Sequence, residues 1–148
     1  MATKLPSTSR SLPIALVRAR EGVMSPIREM LSETSITEQQ WRVLRVLTEC
    51  GPLDSKTLAD RASLLFPSLT RIVTTLNKGG LVTQTRDAAD RRKQIVAITE
   101  VGKKIIDDHS EEAARIVVGF KSRLGPENYE TLLDLLAMLD PANSDGDT

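Results

Sequence analysis

The spacing of apolar residues changes period at Gly79-Gly80, and that switch constrains the fold more than any other feature of the chain. Upstream, Leu69, Ile72, Val73 and Leu76 recur at i, i+3, i+4 and i+7, the stripe of an amphipathic helix. Pro67 suits the first position of that helix, where its missing N–H costs nothing. Downstream, Leu81–Thr85 and Lys93–Ile98 are rich in Val, Ile and Thr and read as two strands around a charged loop, Arg86–Arg92. Before Pro67 lies a short helix, about residues 55–62, capped by Asp54 or Ser55 and burying Leu58 and Ala62. Two short helices across a tight turn, followed by a charged hairpin, predict a winged helix-turn-helix.

The flanks are helical, so the fold class is mainly α with a small β element (α+β). Residues 12–32 place Leu16, Val17, Val23, Met24, Ile27 and Leu31 at helical spacing. Pro26 falls inside that pattern and cannot donate to the carbonyl of Gly22, which predicts a kink or break. Thr37-x-x-Gln40 is a capping box, and Ile36 can staple onto Trp41. The helix it opens runs to about Glu49 and stops at Cys50-Gly51-Pro52. Thr99 opens a long helix over 100–124, ended by Gly125-Pro126. A last helix over 127–139 carries Leu132, Leu133, Leu135, Leu136 and Leu139, too wide an apolar surface for a lone helix facing water. The expected organisation is a flexible stretch 1–11, one domain 12–139 with its reader at 37–99, and a disordered tail 140–148. Helices in 12–36 and 100–139 are left to dimerise, with Leu12, Ile14, Leu16, Phe120, Leu132, Leu135, Leu136 and Leu139 at the interface.

Composition narrows the chemistry. Lys plus Arg and Asp plus Glu each total 20, so the net charge is zero, but its distribution is polarised. Residues 67–93 hold six Lys or Arg against two Asp, and residues 94–148 hold five against eleven Asp or Glu. A basic middle suits nucleic acid and an acidic tail does not. Cys50 and His109 are the only cysteine and histidine, which leaves no zinc-ligand set and no disulfide. A nucleophile–base constellation would have to use His109, so an enzyme is not expected. Neither a signal peptide nor a membrane span is legible, so a cytoplasmic protein with no membrane partner is expected, without metal or cofactor.

The residues also carry a family likeness. Leu58-Ala59, Pro67-Ser68-Leu69-Thr70, Gly80-Leu81-Val82, Asp90-Arg91-Arg92-Lys93, Ile98-Thr99 and Gly102 together resemble the MarR family of transcriptional regulators. Within it, Ala19-Arg20-Glu21-x-x-Met24-Ser25, Thr37-Glu38-Gln39-Gln40-Trp41-Arg42 and Pro67-Ser68-Leu69-Thr70 resemble repressors of homoprotocatechuate (4-hydroxyphenylacetate) degradation operons. The resemblance implies a homodimer that holds a palindromic operator in double-stranded DNA and releases it when a small aromatic carboxylic acid binds. It implies that Arg92 enters the minor groove, steadied by Asp90. The DNA-binding set is then Pro67, Ser68, Thr70, Arg71 and Thr74 on the helix, with Arg86, Asp90, Arg91, Arg92 and Lys93 in the wing. Phe66 departs from the pattern, because a polar or basic residue is expected just before Pro67.

The implied effector is an arylacetate or a related aromatic or indole acid. Trp41 offers a stacking surface, and Arg42 and Arg45 offer guanidinium groups for a carboxylate. The resemblance implies an effector site where the first, second and long fifth helices meet the reader; a kink at Pro26 would leave Met24 and Ser25 near that junction, and Arg20 joins the set. Against this stands a structural ion-pair network of Arg20, Glu21 and Arg45. His109 reads as a satisfied structural histidine and Cys50 as a small apolar residue at a helix end. Two rival readings are a redox-responsive regulator using Cys50 and a winged-helix protein–protein module that binds no DNA.

Overall fold

The computed structural model describes residues 3–146. Its contacts divide the chain into two units, one ending at Ser110 and the other starting at Glu111.

In the first unit, α1 (Leu12–Met30) is capped by the Ser11 side chain, which accepts from the Ile14 amide. It runs through Pro26 without a break and ends two residues earlier than expected. Only the Gly22 carbonyl loses its partner to Pro26, and exposed Gly22 leaves that carbonyl to solvent. α2 (Glu38–Cys50) begins with the predicted capping box. The Gln40 amide donates to Thr37 Oγ1 and the Thr37 amide to Gln40 Oε1, both at 3.1 Å. Removing the cap with Thr37→Ala is expected to cost about 1 kcal/mol. A thermal melt should show the midpoint fall by about 2–4 °C.

A strand too short to be legible, β1 (Leu53–Asp54), precedes α3 (Ser55–Arg61). Asp54 caps α3 by accepting from the Thr57 hydroxyl at 2.7 Å and its amide at 3.1 Å. Those bonds hold its carboxyl below the ordinary aspartate range. α4 (Phe66–Lys78) starts one residue before Pro67, because Leu65 already has the extended backbone of an N-cap. The hairpin β2 (Val82–Arg86) and β3 (Gln94–Ile98) is antiparallel, pairing Val82 with Ile98 and Arg86 with Gln94. β1 adds to β3 on the far side, giving the order β1-β3-β2.

The core of this unit joins α2, α3, α4 and the sheet. Val43, Leu44, Leu47, Leu58, Leu69, Val73, Leu76, Val82 and Val96 are all fully buried. Each buried leucine is worth about 1.5–3 kcal/mol relative to exposure, so the hydrophobic term fixes the angle between α3 and α4. α5 (Glu100–Leu124) is tied to the root of the hairpin. The Thr99 amide donates to Leu81 O at 3.0 Å, and Thr99 Oγ1 donates to Gly80 O at 2.7 Å while accepting from the Gly102 amide.

In the second unit the end of α5 is followed by α6 (Pro126–Met138). Lys121 Nζ lies 5.3 Å from the centre of the Tyr129 ring, a cation–π contact. Leu132, Leu133, Leu135, Leu136 and Leu139 are all exposed, as are Leu12 and Leu16 in the first unit, while Ile14 and Phe120 are half-buried. Two stretches expected to lack structure hold short 3-10 segments, Thr8–Arg10 and Pro141–Gly146, because serine and aspartate side chains accept from nearby amides there. Residues 1–2 and 147–148 of those stretches lie outside the described residues.

Candidate nucleic-acid interface

The wing is a stapled loop. The Asp87 amide donates to Lys93 O and the Lys93 amide to Asp90 O, both at 3.0 Å. Arg86 Nη1 donates to Arg91 O at 2.9 Å. Arg92 then forms a fork on Asp90, with Nε to Oδ1 at 3.1 Å and Nη2 to Oδ2 at 3.2 Å, and its amide donates to the same carboxylate. The Arg92 side chain is 91% exposed although both ends of its fork are engaged. An arginine so placed presents its guanidinium to solvent, and the fork biases it toward one orientation. The Arg92 hydrogen bonds pull the Asp90 carboxyl below the ordinary aspartate range, with Lys93 adding to the effect. A depressed carboxyl pKa stabilises above that range, so the fork is intact at neutral pH and is lost only as pH falls through the lowered value.

α4 carries the other half of the interface. Pro67, Thr70, Arg71 and Thr74 are exposed and Ser68 is half-buried. A groove of about 680 Å³ between α3, α4 and the hairpin gathers Thr70 with Arg86, Arg92 and Lys93. A smaller hollow of about 240 Å³ gathers Ser68 and Arg71. Pro67, Thr74, Asp90 and Arg91 line neither.

Both hollows add residues that sequence reasoning missed. Lys56 and Gln84 share the larger groove, and Gln39 and Gln40 stand beside Arg71 in the smaller. Lys56 is exposed in the first turn of α3, and the groove it lines also holds Asp54 and Asp60.

The expected effector residues fare unevenly. Trp41 is buried, and its ring meets His109 edge to face at a centroid distance of 5.9 Å. His109 Nδ1 lies 2.8 Å from Ile105 O. That carbonyl can only accept, which makes Nδ1 the donor and leaves Nε2 as the other ring nitrogen. Met24 is half-buried, and Arg20, Ser25 and Arg45 are exposed.

Arg42 is spent on structure. It forks onto Glu38 with both bonds at 3.1 Å, and its Nη1 donates to Ala62 O at 2.8 Å, closing the turn between α3 and α4. Arg42→Ala is therefore expected to lower the midpoint of a thermal melt by about 2–12 °C, from a loss of about 1–3 kcal/mol.

The alternative network of Arg20, Glu21 and Arg45 does not form. Glu21 pairs with Arg28, two turns along the same face of α1, and among the described residues Arg20 and Arg45 make no ion pair. Cys50 is exposed rather than packed, because α2 ends there, and its Sγ accepts from Arg61 Nη1 at 3.3 Å.

A helix-turn-helix whose second helix stands beside a basic, internally braced hairpin defines a winged helix-turn-helix protein. The chain belongs to the MarR family. The family's sequence model matches residues 36–93. The chain is 39% identical over 137 residues to the HTH-type transcriptional regulator FarR of Neisseria gonorrhoeae, covering 91% of this chain and 94% of that one. It is 35% identical over 126 residues to the homoprotocatechuate degradative operon repressor of Escherichia coli, covering 85% of each. The crystal structure of NadR in complex with 4-hydroxyphenylacetate is 39% identical and superposes with a TM-score of 0.78, covering 93% of this chain and 97% of that one.

Proposed function

We propose that the protein is a dimeric repressor of an aromatic-compound catabolic operon, released from a palindromic operator by a small aromatic acid. The observation that carries the DNA half is the Arg92 fork, an exposed guanidinium beside the α4 groove. Arg92 enters a minor groove while Thr70, Arg71, Thr74 and Ser68 face the adjoining major groove. Arg86, Arg91, Lys93 and Lys56 hold phosphates. The exposed leucines of α6, and Leu12 and Leu16 of α1, give two chains a surface to bury on each other. A twofold dimer reads two half-sites about one helical turn apart.

The effector half rests on similarity to the homoprotocatechuate repressor and to NadR with its 4-hydroxyphenylacetate. An arylacetate such as 4-hydroxyphenylacetate or homoprotocatechuate places its ring against Trp41 and its carboxylate toward Arg20 or Arg45, with Met24, Ser25 and His109 lining the site. Arg42 stays with Glu38. Acid binding must favour a dimer shape unsuited to the operator, since a ligand shifts an equilibrium only by its differential affinity.

DNase footprinting on the region upstream of the gene tests this, with sedimentation to count chains per duplex. A protected inverted repeat carrying two chains supports the reading. No protection at physiological salt would favour a protein–protein module. A second reading uses Cys50, whose exposed thiol beside the Arg61 guanidinium suits a redox switch. An oxidant response that Cys50→Ser leaves intact would eliminate it.

A further inference from the structure

The outward face of α4 offers few hydrogen-bond donors. Thr70 Oγ1 donates to Phe66 O at 3.1 Å, Thr74 Oγ1 to Thr70 O at 2.8 Å and Thr75 Oγ1 to Arg71 O at 3.1 Å. A threonine bonded back to its own helix has spent its single hydroxyl hydrogen. What it presents to a partner is methyl surface and an acceptor oxygen. At the head of the same helix Leu65 is 78% exposed and Phe66 is 53% exposed. No side chain caps the helix there. A Ser, Thr, Asp or Asn in place of Leu65 would cap it, so these two positions forgo local stability for exposed apolar surface. Phe66 lines the same groove as Thr70, Arg86 and Arg92.

We propose that Phe66 and Thr70, with Thr74 a turn further on, read thymine by apolar contact with its C5-methyl group. The inference rests on the DNA-binding reading and deepens it, because it says how sequence is recognised. An A·T pair shows that methyl only in the major groove, and apolar side chains are the groups that select it. The cations around the groove draw in the phosphate backbone and so favour DNA as the occupant. The Arg71 and Ser68 side chains make no hydrogen bond or ion pair among the described residues, so they are the donors left beside the threonines, and a guanine edge is the natural target of Arg71.

The test uses the protected duplex, with each thymine replaced in turn by deoxyuridine, which deletes the methyl alone. Fluorescence anisotropy should show about fourfold weaker binding at a few positions in each half-site, the worth of one buried methyl group. Phe66→Ala should bind the all-thymine duplex on the order of tenfold more weakly and no longer distinguish thymine from deoxyuridine at one of those positions. Thr70→Ser, which keeps the hydroxyl, should lose discrimination at a neighbouring one. Phe66→Leu, which keeps an apolar side chain and the fold, should retain it. Tight binding by the unaltered protein with equal affinity for every deoxyuridine duplex would overturn the inference and leave the regulator standing. Discrimination that survives in Phe66→Ala and Thr70→Ser would overturn the assignment to these residues. Failure to hold any duplex would overturn the proposed function itself.

Discussion

In the proposed dimer, Arg92→Ala is expected to weaken binding to its operator by on the order of 100-fold, as each of two wings loses about 1–1.5 kcal/mol. The reason lies in pre-organisation. A free arginine loses about 2 kcal/mol of rotamer entropy when it is immobilised. The Asp90 fork biases Arg92 toward its exposed pose, so part of that cost is met before binding. If Arg92 also neutralises a phosphate, the slope of log affinity against log salt flattens by about 0.9 per contact. Asp90→Ala separates the two contributions. It keeps the arginine charge but frees the side chain, so affinity should fall by less, about three- to tenfold, with the slope maintained. Anisotropy over a salt series reads both quantities. An Arg92→Ala protein with unchanged affinity and slope would remove the wing from the mechanism.

Gly102→Ala is expected to destabilise the protein by about 2 kcal/mol, lowering the thermal midpoint by about 4–8 °C. The sign is the reverse of the usual one, since alanine in a helix interior is favoured over glycine by about 1 kcal/mol. At Gly102 a Cβ would stand 2.4 Å from the Leu81 carbonyl oxygen and 2.7 Å from Ile98 Cγ1. The first of these is backbone at the root of the hairpin, so the methyl can be admitted only by moving α5 off the wing. The Thr99 bonds to Gly80 and Leu81 resist that shift. Gly22→Ala is the matched comparison. Nothing lies within 4 Å of a Cβ at Gly22, so there the substitution should stabilise by up to about 1 kcal/mol. Melting curves of the two variants that move in the same direction would contradict this account of the α5–hairpin junction.

The reader was legible because its signals are local. The Thr37 box, the Leu69–Leu76 stripe and the Val-rich strands each act within a few residues, and the structure places their elements within one residue of expectation. Less local features were not legible. A two-residue strand such as Leu53–Asp54 has no periodicity of its own and exists only because β3 lies beside it. Arg42 looked available to a carboxylate because sequence does not show that Ala62 returns its carbonyl to α2. Pro26 was expected to disturb its helix, but a single missing bond beside an exposed glycine is tolerated. The threonine back-bonds of α4, which take up hydroxyl hydrogens on that face, depend on rotamers that no sequence pattern reports.

In the proposed mechanism an aromatic acid and an operator compete through one dimer. The most direct test binds the upstream duplex to the protein at physiological salt and titrates 4-hydroxyphenylacetate, homoprotocatechuate and related acids while following anisotropy. Calorimetry then measures the affinity for the effective acid with and without duplex. Linkage requires the two effects to be reciprocal. The account predicts saturable release by at least one acid, and a duplex that weakens acid binding by the same factor. An acid that binds the protein yet leaves the duplex affinity unchanged would contradict it.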